Sequence, residues 1–279
     1  MKSLSNAHTH TTYCDGKSPI ADTLETAKRL GFVSLGFSGH AYQGFDPAYC
    51  MSPAHEAAYL RELRALQARP LPFRLYAGLE QDGLAPEDVK RRHRDEADYI
   101  IGSTHYLDCP VGDVRPAVDG DPALLKRCID MYFDGDPLSM AERYFETHAA
   151  MIARDKPDVI GHFDLVRKYA ERIGLNTGSP RYRQAARDAL TQAYEGCRVL
   201  EVNTGNMARG SADSPYPADF LLATWLSIGG DVTLTSDCHR AELLDFAFEE
   251  TEARLRRIGY TRLLRLSAGN ELWEAVALD

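Results

Sequence analysis

Short apolar, β-branched runs recur along the chain, near Leu4–Ala7 and at Phe32–Ser38, Phe73–Glu80, Tyr99–His105, Asp158–Asp164, Arg198–Gly205 and Asp231–His239. Each is shorter than an ordinary helix and almost continuously apolar, the pattern of a strand covered on both faces. Amphipathic stretches lie between them. Ser18 and Pro19 suit the cap and first position of a helix that contains Leu24 and Ala27 and stops at Gly31, and Ser52–Pro70 predicts a second helix. Strand and helix in alternation predict a parallel sheet sheathed by helices. About seven such strands favour a closed or nearly closed barrel, with an open doubly wound sheet as the alternative. Pro110–Tyr144, rich in Asp, Gly and Pro, reads as a long excursion over the barrel mouth. With no internal repeat and no linker, one domain over residues 1–279 is expected.

Composition narrows the class of function. The 279 residues are 44% hydrophobic and 26% charged, ordinary for a globular protein with a large core. The net charge of −9 argues against tracking a nucleic-acid backbone, which needs a basic surface. The first residues lack the apolar core of a signal peptide and no run approaches a membrane span, so a cytoplasmic location is expected. Six cysteines occur without a C-x-x-C pair, and reduced thiols are expected rather than disulfides or a thiolate knuckle. Cys14 and Cys238 lie beside histidine motifs but read as packing residues.

The histidines change the picture most. Of nine, His8, His10, His40, His105, His162 and His239 all follow or end an apolar strand, and Asp15, Glu80 and Asp237 stand in equivalent places. In parallel α/β folds the carboxyl ends of the strands share one mouth, where active sites are built. His8 and His10 are two apart in an extended segment and point to one side, as do Asp237 and His239. His55, His93 and His148 fall inside helical patterns and read as solvated or packing residues. A set of nitrogen and carboxylate donors without thiolates suits zinc, manganese or iron. Nine donors exceed the needs of one catalytic ion, so two or three divalent ions are expected.

Together "HTHTTYCDG", "GFSGH", "GLE", "GSTH", "GHFD" and "SDCH" resemble, in order, the motifs of the PHP family, named for polymerase and histidinol phosphatase. The resemblance implies a distorted (β/α)7 barrel of the TIM type, with a trinuclear metal centre at the carboxyl ends of the strands. It implies one ion held by His8, His10, Glu80 and Asp237, a second by Asp15, His40 and His239, and a third by Glu80, His105 and His162. The length and the segment Glu201–Gly210 look most like the stand-alone members that hydrolyse L-histidinol phosphate in histidine biosynthesis. The implied chemistry is metal-dependent phosphomonoester hydrolysis, in which a metal-activated hydroxide is the nucleophile. Asp237, His239 and a metal-bound water are the candidates to protonate the leaving group, and Arg209 is the candidate phosphate clamp. Asp164 and Glu201 suit either the substrate ammonium or the orientation of a ligand, and Arg167 or Lys168 could face phosphate. Two rivals are a PHP phosphoesterase for a nucleotide or sugar phosphate, and a non-catalytic metal-binding module.

Overall fold

The computed structural model describes residues 4–210 and 212–278. Every apolar run forms a strand: β1 (Ser5–Asn6), β2 (Ser34–Phe37), β3 (Arg74–Asp82), β4 (Tyr99–Ser103), β5 (Val159–Ile160), β6 (Val199–Asn203) and β7 (Asp231–Thr235). β2, β4 and β6 are buried at every position, which is why they read as unbroken apolar runs rather than alternating ones. Two further strands follow, β8 (Arg262–Leu266) and β9 (Trp273–Ala277). They are half-exposed, and "RLLRL" lacks the continuous apolar signature, so the expected count of about seven falls short of the nine among the described residues. Neighbours in the sheet follow chain order, all parallel except β8 with β9.

The sheet is curled. Ala7, Tyr76, Tyr99, Ile101, Val159 and Leu266, from the region of β1, β3, β4, β5 and β8, share one apolar cluster. Tyr99 fills much of that interior. Its side chain lies so close to Gly36 and Gly78 that an added Cβ would come within 2.2 Å of its hydroxyl at Gly36 and 2.3 Å of its ring at Gly78. Helices cover the outer face: Ile20, Leu24 and Ala27 of one, and Tyr59, Leu60 and Leu63 of another, pack with Leu35, Phe37, Leu75, Ala77 and Leu79.

Two helix ends separate expectation from structure. The first helix begins at Ile20 with Pro19 at the cap, because the Ser18 hydroxyl accepts the N–H of Ala241 (2.9 Å) and so ties the helix start to the chain after β7. Its stop is as expected, with Gly31 left-handed at φ 74°. The second helix, Pro53–Gln67, is capped by the Ser52 side chain. The Pro110–Tyr144 excursion is mostly helical instead: Asp121 and Asp136 cap helices Pro122–Tyr132 and Pro137–Asp155. Its irregular part, around Ala117–Gly120, does reach the mouth. No described helix is long and apolar enough to cross a membrane. The six cysteines are free thiols, five of them buried and Cys14 partly so.

Candidate metal centre

Backbone pairing beyond the strands brings distant motifs together. Past β1 and β7, Thr9 and Cys238 pair in parallel: His10 N–H donates to Cys238 O (2.8 Å) and Cys238 N–H to His8 O (3.0 Å). His8 and His10 therefore stand beside Asp237 and His239. A second bridge, His40 with Glu80, does the same for β2 and β3. Asp237 takes a left-handed backbone, φ 46°, an unfavourable conformation for a residue with a Cβ and one found at sites where geometry is imposed by the surroundings.

Glu80 is the hub. Its Oε2 lies 2.8 Å from His40 Nδ1, 3.2 Å from His8 Nε2 and 3.5 Å from His10 Nε2. Its Oε1 lies 2.8 Å from His162 Nε2 and 3.5 Å from His105 Nε2, and accepts the Ser103 hydroxyl at 2.7 Å. Asp237 Oδ1 is 3.1 Å from His10 Nε2 and 3.7 Å from His8 Nε2. Asp15 meets His239 Nε2 at 3.0 Å, His10 Nδ1 at 3.5 Å and His40 Nε2 at 3.8 Å. All nine residues singled out for metal binding thus converge, and only Asp15 and His239 are more than slightly exposed. Three groups have donor atoms close enough to share an ion: His10, Asp15, His40 and His239; His8, His10 and Glu80; His40, Glu80 and His105. His10 and His40 thus each border two groups, where the resemblance implied one apiece.

Charge state favours cations. Burial alone would raise the carboxyl of Glu80, but His40, His8 and His105 beside it hold it well below the usual carboxylate range. Asp237 is likewise lowered against its burial, by Arg209, His8 and His10. Asp15 is lowered against its burial by His10 and His239. Burial and the neighbouring His10 outweigh the carboxylates at His40 and push it down to about 4. His8 Nε2, His10 Nε2, Asp15 Oδ1 and Glu80 Oε2 are buried without a hydrogen-bond partner. Each such atom costs roughly 1–3 kcal/mol, and divalent ions among them would relieve the cost. The donor set therefore fits transition-metal ions.

A cavity of about 410 Å³ opens onto this cluster, lined also by Asp46, Tyr49, Tyr106, Asp119, Lys168 and Arg209. Arg209 meets Asp237 at 3.1 Å, and Lys168 meets Asp119 at 3.2 Å. Arg167 turns away: it bonds Asp164 and Pro215 O and lies over the Tyr216 ring. Asp164 is not part of the cavity wall: its Oδ2 accepts from Arg167 and from the N–H of Ala218, while its Oδ1 is buried without a hydrogen-bond partner. Asp46, Tyr49, Tyr106 and Asp119 escaped the sequence reading because they sit in irregular segments where composition carries no period.

The PHP domain pattern matches residues 6–205. The chain belongs to the PHP domain family. Two relatives named probable histidinol-phosphatase align along nearly their whole length. The relative from Schizosaccharomyces pombe is 23% identical over 95% of this chain and 90% of its own, and that from Deinococcus radiodurans 26% over 93% and 95%. Among solved structures, HisK of Listeria monocytogenes superposes with a TM-score of 0.74 at 18% identity, covering 88% of this chain and 99% of its own. The histidinol phosphate phosphatase of Lactococcus lactis, solved with zinc, L-histidinol and phosphate, gives 0.63 at 19% identity, covering 95% and 97%. These structures share the α/β fold of this PHP chain. Seven of its nine clustered donors lie inside the matched span; Asp237 and His239 lie beyond it and join through the Thr9–Cys238 pairing.

Proposed function

We propose that this PHP chain is a metal-dependent phosphomonoester hydrolase that converts L-histidinol phosphate and water to L-histidinol and phosphate. The observation that carries the reading is Glu80, whose carboxylate lies within 3.5 Å of five imidazoles at the floor of an open cavity. The names of the two relatives and the ligands of the Lactococcus enzyme support the substrate and favour zinc. We assign two or three ions to the three sets the family resemblance implies, and read β1–β7, joined through Thr9 and Cys238, as a (β/α)7 barrel in a single domain.

Divalent ions held by these donors would supply an activated water and neutralise charge on the phosphoryl oxygens. The chain's own part is positional and electrostatic. Glu80, Asp15 and Asp237 stay ionised. Arg209 can turn its guanidinium from Asp237 toward two phosphoryl oxygens, and Lys168 adds a second cation in the same cavity. His239 Nδ1 lies 3.4 Å from Asp237 Oδ1, and we assign to His239, with the Asp237 carboxylate as its partner, the proton handed to the leaving oxygen. Tyr49 and Tyr106, with Asp46 and Asp119, give the walls an aromatic and acidic character suited to an imidazole and an ammonium.

The test is phosphate release by the zinc-supplemented protein from L-histidinol phosphate and from a panel of nucleotide and sugar phosphates. The expected preference is at least tenfold in kcat/KM, about 1.4 kcal/mol. Equal turnover of another monoester would favour a different PHP phosphoesterase, and release from none would favour a binding module. Asp237→Asn should abolish turnover while preserving the unfolding temperature of the metal-free protein.

A further inference from the structure

Glu201 sits in β6, fully buried, and is not part of the cavity wall. Four donors converge on its carboxylate. Oε1 accepts His8 Nδ1–H (2.5 Å) and the Thr235 hydroxyl (2.7 Å), while Oε2 accepts His162 N–H (2.7 Å) and the Asn203 side-chain amide (3.1 Å). These come from the chain after β1, from β7, from the chain after β5 and from β6 itself. An ionised carboxylate offers about four lone-pair positions, and here all are taken. Glu201 thus has no capacity left for an ion or for a substrate ammonium.

What it does instead follows from donor and acceptor rules. A carboxylate only accepts, so the proton of the His8 ring belongs on Nδ1. That leaves Nε2, which faces Glu80 at 3.2 Å and Asp237 at 3.7 Å, with its lone pair free toward the cluster. The other oxygen pins the backbone of His162, whose own Nε2 reaches Glu80 at 2.8 Å. One side chain therefore fixes two imidazoles that arrive from different strands.

We propose that Glu201 is a positioning residue that sets the ring tautomer of His8 and the placement of His162, and thereby the capacity of this centre to hold metal. The proposal rests on the metal-dependent reading above. Histidine ligands commonly need such an outer hydrogen-bond partner, whose loss weakens metal binding by about 10–100-fold.

Glu201→Gln tests it with almost no change of shape. An amide NH2 in place of Oε2 would face two donors, His162 N–H and the Asn203 amide. Asn203 cannot flip to relieve this, because its Oδ1 accepts Gly205 N–H at 2.8 Å. The glutamine nitrogen therefore turns to the other side, where the Thr235 hydroxyl can rotate to accept it. There it donates to His8 Nδ1 and forces the proton to Nε2, the nitrogen that should ligate.

Zinc binding to the full chain is measured by competition with a chromophoric chelator, together with zinc stoichiometry by elemental analysis. The expected result is wild-type uptake, and in Glu201→Gln one zinc bound at least tenfold more weakly. Long-range proton–nitrogen correlations on histidine-labelled, zinc-loaded wild type should place the His8 proton on Nδ1, a signature that a merely structural role would not require. Unchanged zinc affinity in Glu201→Gln overturns the proposal. So does a wild-type His8 protonated on Nε2, a reading that survives even if the variant fails to fold. A wild type that takes up no zinc overturns the metal-dependent reading itself and this role with it, which separates the two failures.

Discussion

His55, His93 and His148 look alike in sequence, each a histidine inside a helical pattern, yet packing gives them different lives. His55 is exposed; His93 is buried between Glu56 (3.1 Å) and Gln81 (3.0 Å). His148 is buried against Tyr144 and Phe163 with neither ring nitrogen bonded. Burial first, and then the nearby His162 and His105, push His148 down to about 3, so the folded protein keeps it neutral while the unfolded chain binds a proton near pH 6.5. The unfolded state therefore holds more protons between these values. Stability falls as pH drops below about 6.5, and the loss from this group ends near pH 3. The slope is about 1.4 kcal/mol per pH unit at most. His148→Leu should lose less stability than wild type between pH 6 and pH 4 in urea unfolding; identical slopes would show that His148 is not held neutral. The metal-type residues were legible because strand ends marked them. Partners such as Ser103, Thr235 and Asp82, whose Oδ2 accepts the N–H of His105 at 2.8 Å, carry no mark: a hydroxyl or carboxylate aimed at a ligand looks like any other until the strands are side by side.

At the scale of elements, apolar runs bounded by helical patterns were enough to locate β1–β7, even where β1 and β5 contribute only two paired residues. β8 and β9 were not legible. Half-covered strands lack a continuous apolar run, and "RLLRL" and "WEAVA" do not alternate regularly enough to stand out from the end of the helix Phe248–Ile258. The Ser18 cap was misread for a related reason, since its partner, Ala241 N–H, lies far away in sequence. Nor does the sequence reveal why "LYAGLE" carries a glycine in mid-strand. Gly78 clears the ring of Tyr99, whose hydroxyl donates to Ala7 O and so ties β4 to the chain after β1. A methyl at Gly78 would meet ring carbons at 2.3–2.8 Å and displace a large buried side chain. Overpacking of this kind costs about 1–3 kcal/mol. Gly78→Ala should lower the urea midpoint without changing its slope, and Gly78→Ala combined with Tyr99→Phe should not restore it, because the clash is with the ring and not with the hydroxyl. Full stability in Gly78→Ala would mean that Tyr99 can move aside.

In the whole molecule, the candidate centre is a property of the curled sheet. Its donors stand at the ends of six strands, from His8 and His10 after β1 to Asp237 and His239 after β7, and no two of these segments need remain near each other in the unfolded chain. The likeness of the motifs to a family order made the donor list legible; the sharing of His10 and His40 between neighbouring groups was not, because it depends on ring directions rather than on positions in the chain. An ion held by donors from two or three converging strand ends binds the folded state almost exclusively. By mass action, zinc at a hundredfold excess over its dissociation constant should then stabilise the protein by about 2.7 kcal/mol per site. For a chain of this size that corresponds to an upward shift of roughly 5–10 °C for one site, scaled from about 2–4 °C per kcal/mol. Thermal unfolding with zinc and with excess chelator should show the difference, and readdition of zinc should restore it. His239→Ala tests the geometry: it withdraws a donor from the group with Asp15 while leaving the group with His8 and Glu80 intact, so part of the zinc shift should survive. A shift lost completely would mean that the ions bind as one cooperative unit, and equal unfolding temperatures with zinc and with chelator would mean that these donors do not hold metal.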